Sequence, residues 1–268
     1  MLSKKYLLID AERFTELASE FISKHISLSG VKGAVVAVSG GIDSSVTLAL
    51  AVRSLGSGRV RAVTMPEGDV TLREDITDVM RLTRMLNATC DSIEITPALN
   101  AFKSMLPLYD PSDLISNGNI KARVRMTLAY HYANTLRSLV IGSSNKTEWL
   151  TGYFTKYGDG ASDLMPIADL FKTQVRQLAK HLGVPNRIIE KAPSARLWPG
   201  QSTEGELGIK FEILDLVLHG LEQGMDVHTI ANELSIEAST VIRVQQRVKD
   251  NEHKRRLPLI LRLSSATR

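Results

Sequence analysis

A chain of 268 residues is long enough to bury a sizeable core, as one large domain or two small ones. Its 43% hydrophobic and 23% charged content is that of an ordinary soluble globular protein, and a net charge of +4 suits a phosphorylated substrate as readily as a plain solvated surface. A single cysteine, Cys90, excludes an intramolecular disulfide framework and a cysteine-based zinc site.

The first apolar run stops at Asp10, too short for a signal peptide or a membrane span, so a cytoplasmic protein with no membrane partner is expected. Asp10 is placed to cap a helix over 11–26, with Phe14, Leu17, Phe21 and Ile26 near helical spacing. "AVVAV" at 34–38 has the continuous apolar character of a strand buried on both faces. A helix over 44–55, ended by Gly56, and a second strand at 59–65 follow. Thr71 and Glu74 form a capping-box pattern before a helix reaching Leu86, and "DSIEIT" at 91–96 gives a third strand. A long helix over 119–137 precedes a fourth strand at 138–142. "NKTEWLTGYFTKYGDGASD" reads mostly as loop, then a helix covers 172–182 and ends at Gly183 and Pro185. Residues 193–205 read as another loop, and helices fill 209–249.

Strands alternating with helices predict an α/β, Rossmann-like three-layer fold. Its mostly parallel sheet is flanked by helices and followed by a helical C-terminal part. No repeat or clear linker interrupts the chain, so a single domain over 1–268 is expected. In such sheets ligands sit beyond the carboxyl ends of the strands, where "SGGIDS", "MPEG" and "GSSNKTE" should meet.

"SGGIDSS" has neither the spacing of a P-loop nor that of a dinucleotide fingerprint. It still has the makings of an anion cradle. Gly40 and Gly41 let the backbone turn sharply and approach a ligand. Ser39, Ser44 and Ser45 offer hydroxyls, and the next helix offers free N–H groups. The plainer alternative is a strand-to-helix turn with Asp43 or Ser44 as cap. Asp43 would repel phosphate unless a cation lay between them. Mg2+, which takes carboxylate and phosphate oxygens together, resolves that conflict.

"SGGIDSS" resembles the first loop of the ATP pyrophosphatase superfamily, which cleaves ATP between its α- and β-phosphates. "NGNIKARVRM", "GYFTKYGDG", "LGVPNRIIEKAPSARLWPGQSTEGELG" and "NEHKRRLP" are similar, in order and spacing, to the NAD synthetase family over residues 30–258. That resemblance implies ATP-dependent amidation of deamido-NAD with ammonia through a nicotinate adenylate, giving NAD, AMP and pyrophosphate. By the same resemblance, Ser39, Gly40, Gly41, Asp43, Ser44, Ser45, Ser143, Lys172 and Ser194 bind ATP. Asp43 and Glu148 hold Mg2+, and Asp43 and Lys172 are catalytic. Arg123, Lys156, Asp163, His253 and Lys254 bind deamido-NAD, the last two from a C-terminal segment crossing the site, as from the partner in a homodimer. Lys121 and Arg125, beside Arg123, read as a solvated helix face.

Ser143 and Ser194 stand where bacterial members carry threonine, and both keep a hydroxyl. Thr203 replaces a common aspartate and Thr64 a common arginine, which bears on the nucleotide contacts. Only about 30 residues precede the first strand, fewer than the usual size of a glutaminase domain. Free ammonia is therefore the expected nitrogen source, unless a separate glutaminase delivers it. A tRNA-thiolating enzyme of the superfamily, or one like GMP synthetase, is the enzymatic alternative; the thiolating reading wants more cysteines. Residues 229–256 also resemble a helix-turn-helix with basic residues, but a helical hairpin accounts for them without a nucleic-acid partner.

Overall fold

Four short strands, β1 (Gly33–Ala37), β2 (Val60–Thr64), β3 (Thr89–Ser92) and β4 (Ser138–Ile141), form one sheet in the computed structural model. The structure describes residues 2–68 and 70–261. All strand pairs are parallel, in the order β3-β2-β1-β4. The chain first steps outward from β1 to β2 to β3, then returns to place β4 on the other side of β1. The β1/β4 boundary is therefore the topological switch point, where a crevice opens at the strand ends.

In chain order the helices begin with α1 (Ala11–Leu28), α2 (Ile42–Leu55), α3 (Arg73–Met85) and α4 (Thr96–Met105). They continue with α5 (Leu114–Leu136), α6 (Lys146–Thr151), α7 (Lys172–His181) and α8 (Asn186–Ile189). The last four are α9 (Thr203–Leu207), α10 (Phe211–Glu222), α11 (Val227–Leu234) and α12 (Ala238–Asp250). Among the described residues no helix is long and apolar enough to cross a membrane.

Successive residues of a strand point to opposite faces, so both faces of β1 need cover. Val36 packs into a core with Ile22 and Ile26 of α1, Leu48 of α2, Leu82 of α3 and Leu178 of α7. Its neighbour Val35 packs into a second core with Leu99 of α4 and Val124, Ala129 and Ala133 of α5. That double burial explains the uninterrupted "AVVAV" run. A third core joins Leu2, Leu7 and Phe171 to α10, α11 and α12.

Several local expectations need correction. Asp10 does cap α1, accepting from the Arg13 N–H at 2.9 Å, but the buried stripe is Thr15, Ala18, Ile22 and Ile26, and Leu17 and Phe21 are exposed. Thr71 and Glu74 make no capping box: α3 starts from Leu72, and the Thr71 hydroxyl accepts from the Glu67 N–H at 2.9 Å. The third strand ends at Ser92, because Thr96 and Pro97 already open α4, whose first turn suits a proline. Residues read as loop contain two short helices, α6 and α9, each started by a side-chain cap, Asn145 and Ser202.

Candidate active site

Beyond β1 the chain turns at Gly40, whose φ of +81° favours glycine. Gly41, not Asp43 or Ser44, is the N-cap of α2. The serines hold this turn together. Ser44 Oγ donates to the Gly41 carbonyl at 3.1 Å and lies 3.2 Å from Ser39 Oγ, and Ser45 Oγ donates to the same carbonyl at 2.8 Å. Ser44 and Ser45 are buried, whereas Ser39 is exposed. The first-turn N–H groups of α2, which have no partners within a helix, complete an anion cradle.

Asp43 sits in the first turn of α2, where the helix dipole favours a carboxylate. Its Oδ2 pairs with the ammonium of Lys172, and its Oδ1 accepts from Asn145 Nδ2 at 2.9 Å. Asn145 is fully buried and caps α6, its Oδ1 accepting from the Glu148 N–H at 3.0 Å. One amide therefore ties the two carboxylate-bearing helices together, and Glu148 Oε1 lies 3.6 Å from Lys172 Nζ. Burial and the charge of Asp43 push the Glu148 carboxyl up to about 7, although Lys172 pulls the other way. For Lys172, burial alone would lower the pKa, but Asp43 and Glu148 prevail and hold it above the ordinary lysine value.

A lysine in the first turn of α7 opposes the helix dipole, so its position needs support. Beneath it lies Asp215 of α10, with no exposure to solvent. The Asp215 carboxylate accepts from the Thr147 hydroxyl and from the Thr173 N–H at 2.8 Å, and Thr147 Oγ1 accepts from the Lys172 N–H at 2.9 Å. Burial pushes Asp215 up to about 6. The ring of Phe211, one turn earlier on α10, lies 5.5 Å from the Lys172 ammonium.

Two hard carboxylates thus converge on one point. Among the described residues no group of three or more histidine, cysteine or acidic side chains forms a complete metal cage. The pair fits a divalent cation that takes its remaining ligands from phosphate and water, as Mg2+ does in nucleotide sites.

The proposed deamido-NAD residues form a separate group, tied together through the loop 152–163. Arg123, exposed on α5, donates to the Lys156 carbonyl at 3.3 Å, and Lys156 Nζ donates to the His253 carbonyl. Lys254 Nζ donates to the Gly152 and Phe154 carbonyls at 2.7 and 3.1 Å. The C-terminal turn Glu252–Arg255 therefore clasps a loop of its own chain. The Asp163 carboxylate is engaged with the sheet, accepting from the Val140 N–H at 2.7 Å and the Tyr130 hydroxyl at 3.2 Å. Burial and Asp163 raise the Tyr130 phenol to about 12.

Ser143 follows the end of β4, half-buried, beside the crevice. Ser194 Oγ donates to the Gln201 carbonyl at 2.7 Å, which commits that hydroxyl to its own loop. Lys121 and Arg125 do not form a solvated face. Lys121 Nζ pairs with Glu67 at 2.8 Å, and Arg125 Nε donates to the Met65 carbonyl at 3.1 Å, with burial lowering the guanidinium pKa. Thr64 and Thr203 are both buried. Sequence reasoning missed Asn145, Thr147 and Asp215. An asparagine three residues before Glu148 is a helix-start pattern that could have flagged the first. Asp215 carried no local signal.

Fold and site together define a nucleotide-binding α/β enzyme. The family model described as NAD synthase matches residues 14–258, and the chain belongs to that family. It is 45% identical over 251 residues to the NH3-dependent NAD+ synthetase of Hyperthermus butylicus, covering 93% of this chain and 90% of the relative. Against the same enzyme of Methanosarcina mazei it is 43% identical, with 93% and 98% covered. Among solved structures, the NH3-dependent NAD synthetase of Campylobacter jejuni aligns with a TM-score of 0.79 at 31% identity, covering 95% of this chain and 100% of the other. The NMN synthetase of Francisella tularensis aligns with a TM-score of 0.83 at 34% identity, with 95% and 99% covered.

Proposed function

We infer that this chain is a ligase that forms NAD, AMP and pyrophosphate from deamido-NAD, ATP and ammonia. The observation that carries the reading is the meeting of the "SGGIDS" cradle with Asp43, Glu148 and Lys172 at the switch point of a NAD synthase family chain.

A carboxylate is a poor acylating group, because ammonia would have to expel oxide. The nicotinate carboxylate oxygen instead attacks the α-phosphorus of ATP, the bond to the β-phosphate oxygen breaks, and pyrophosphate leaves. Ammonia then adds to the carbonyl carbon of the mixed anhydride, AMP leaves with the electron pair of its C–O bond, and the nitrogen loses a proton. The protein supplies position and charge stabilisation. The N–H groups of the first turn of α2 would receive the phosphates, and Lys172 would bring a fixed positive charge to the leaving pyrophosphate. Asp43 and Glu148 would hold Mg2+, which when bound neutralises charge on the phosphate chain. Ser143 and Ser194 would line the ATP side. Arg123, Lys156, Asp163, His253 and Lys254 would line the deamido-NAD side, the clasped loop covering the dinucleotide.

Ammonia is taken as free ammonia, or from a separate glutaminase. A cytoplasmic homodimer fits the family resemblance, and the exposed Leu114 and Ile115 at the start of α5 supply apolar surface for a second copy. Purified protein with Mg2+, ATP and deamido-NAD should form NAD, AMP and pyrophosphate with ammonium, and far less NAD with glutamine. Its sedimentation mass should be that of two chains. Formation of ADP and phosphate, or no NAD, would overturn the assignment, and a single-chain mass the dimer.

A further inference from the structure

We propose that Lys191 is a positioning residue for the phosphate cradle, holding the Gly40–Gly41 peptide so that its N–H stays on the side of the Ser39 hydroxyl. The proposal rests on the reading that this turn receives the phosphates of ATP.

Lys191 lies just after α8, and its ammonium has three protons to donate. All three find acceptors: the Gly40 carbonyl at 3.1 Å, Asp75 Oδ1 at 2.7 Å and Asp78 Oδ2 at 2.7 Å. Asp75 and Asp78 share one face of α3, three residues apart, and are almost wholly buried. Buried carboxylates need cationic partners, and Arg187 and Arg196 supply the rest, on Asp78 and on Asp75 at 3.5 Å. Lys191 joins this buried ion cluster to the cradle.

A planar trans peptide points its C=O and its N–H in opposite directions. Lys191 draws the Gly40 carbonyl down toward α3, so the Gly41 N–H turns the other way, where it donates to Ser39 Oγ at 3.3 Å. Two successive glycines leave that peptide free to flip. Flipped, it would present a carbonyl oxygen to the phosphates and replace an attraction with a repulsion. Packing limits the loop from below as well, since a Cβ on Gly40 would stand 2.6 Å from the Asp75 carbonyl oxygen. Lys191 also begins the segment that leads to Ser194 and Arg196, so the same charge cluster links the cradle to a second stretch on the ATP side.

The test compares three variants by KM for ATP, KM for deamido-NAD, direct affinity for Mg2+–ATP by calorimetry, and melting temperature. Lys191→Met should weaken ATP binding about tenfold, leave deamido-NAD unaffected and lower the melting temperature. Adding Asp75→Asn and Asp78→Asn to it removes the stranded charges, so the melting temperature should recover while ATP binding stays weak. Lys191→Arg keeps the charge but not the geometry, and should keep the melting temperature with weakened ATP binding. Wild-type ATP affinity in the triple variant would reduce the cluster to a structural role and overturn the proposal. So would failure of all three variants to fold. A wild-type protein that binds ATP but makes no NAD would sink the functional reading alone, because calorimetry still reads the effect of Lys191 on ATP.

Discussion

The two halves of the proposed site are held by different kinds of bonds. At the switch point, side chain meets side chain: Asp43, Asn145, Glu148 and Lys172 form a buried polar group supported by Asp215 and Thr147. In the 152–163 region, side chains mostly meet backbone: Lys156, Lys254 and Arg255 donate to the carbonyls of His253, Gly152, Phe154, Trp149 and Leu150. The first arrangement depends on residue identity, because removing one charge leaves its buried partners unbalanced. The second depends on the path of the chain, and each cation there restrains a loop rather than completing a charge set. On the proposed function, chemistry would fall to the first half and covering of the substrate to the clasped half.

Isosteric neutralisation at the switch point tests that division most severely. Asp43→Asn and Glu148→Gln should each lower pyrophosphate release by at least about a hundredfold while the folded circular-dichroism spectrum persists. Turnover near the wild-type rate in either variant would remove that residue from the metal pair. A smaller effect is expected at the clasp. Lys254→Ala frees the Gly152 and Phe154 carbonyls and should raise the KM for deamido-NAD by about three- to tenfold, with the KM for ATP unchanged. An equal rise in both constants would mean that the two halves are not separable.

The smallest expected signal is in stability against pH. Glu148 is raised from 4.5 to about 7, so the folded protein holds its proton over a range where the unfolded chain has lost it. By linkage, stability is highest below about 4.5 on this account and falls as pH rises through 7. Asp215, raised to about 6, adds a decline of the same sign over a lower range. The nucleotide-free protein should therefore melt at lower temperature at pH 7.5 than at pH 5, and Glu148→Gln should flatten part of that slope, as followed by calorimetry. An unchanged slope in the variant would place the titration elsewhere.

Much of the architecture was legible because it rests on local patterns. The run "AVVAV", the glycine stops at Gly56 and Gly183, and the alternation of strands and helices are visible without coordinates. Each reflects a constraint acting over one element or one turn. The errors lie where tertiary packing overrode a local preference. Leu17 and Phe21 look like core residues on a helical wheel, yet the sheet takes α1 on the Ile22–Ile26 face. Thr71 looks like a cap, yet its hydroxyl serves the Glu67 N–H in the loop after β2.

At the site, the sequence by itself determined the cradle, the odd carboxylate within it and the family motifs, because these are contiguous stretches whose composition reflects their chemistry. Only the tertiary structure decided what surrounds Asp43. Lys172 is 129 residues away and Asn145 is 102. Asp215 reaches the site from a helix with no motif of its own, and Lys191 stands within a family motif that gives no sign of its contact with Gly40. Their roles come from burial, which makes each charge dependent on a partner that only the fold can bring to it.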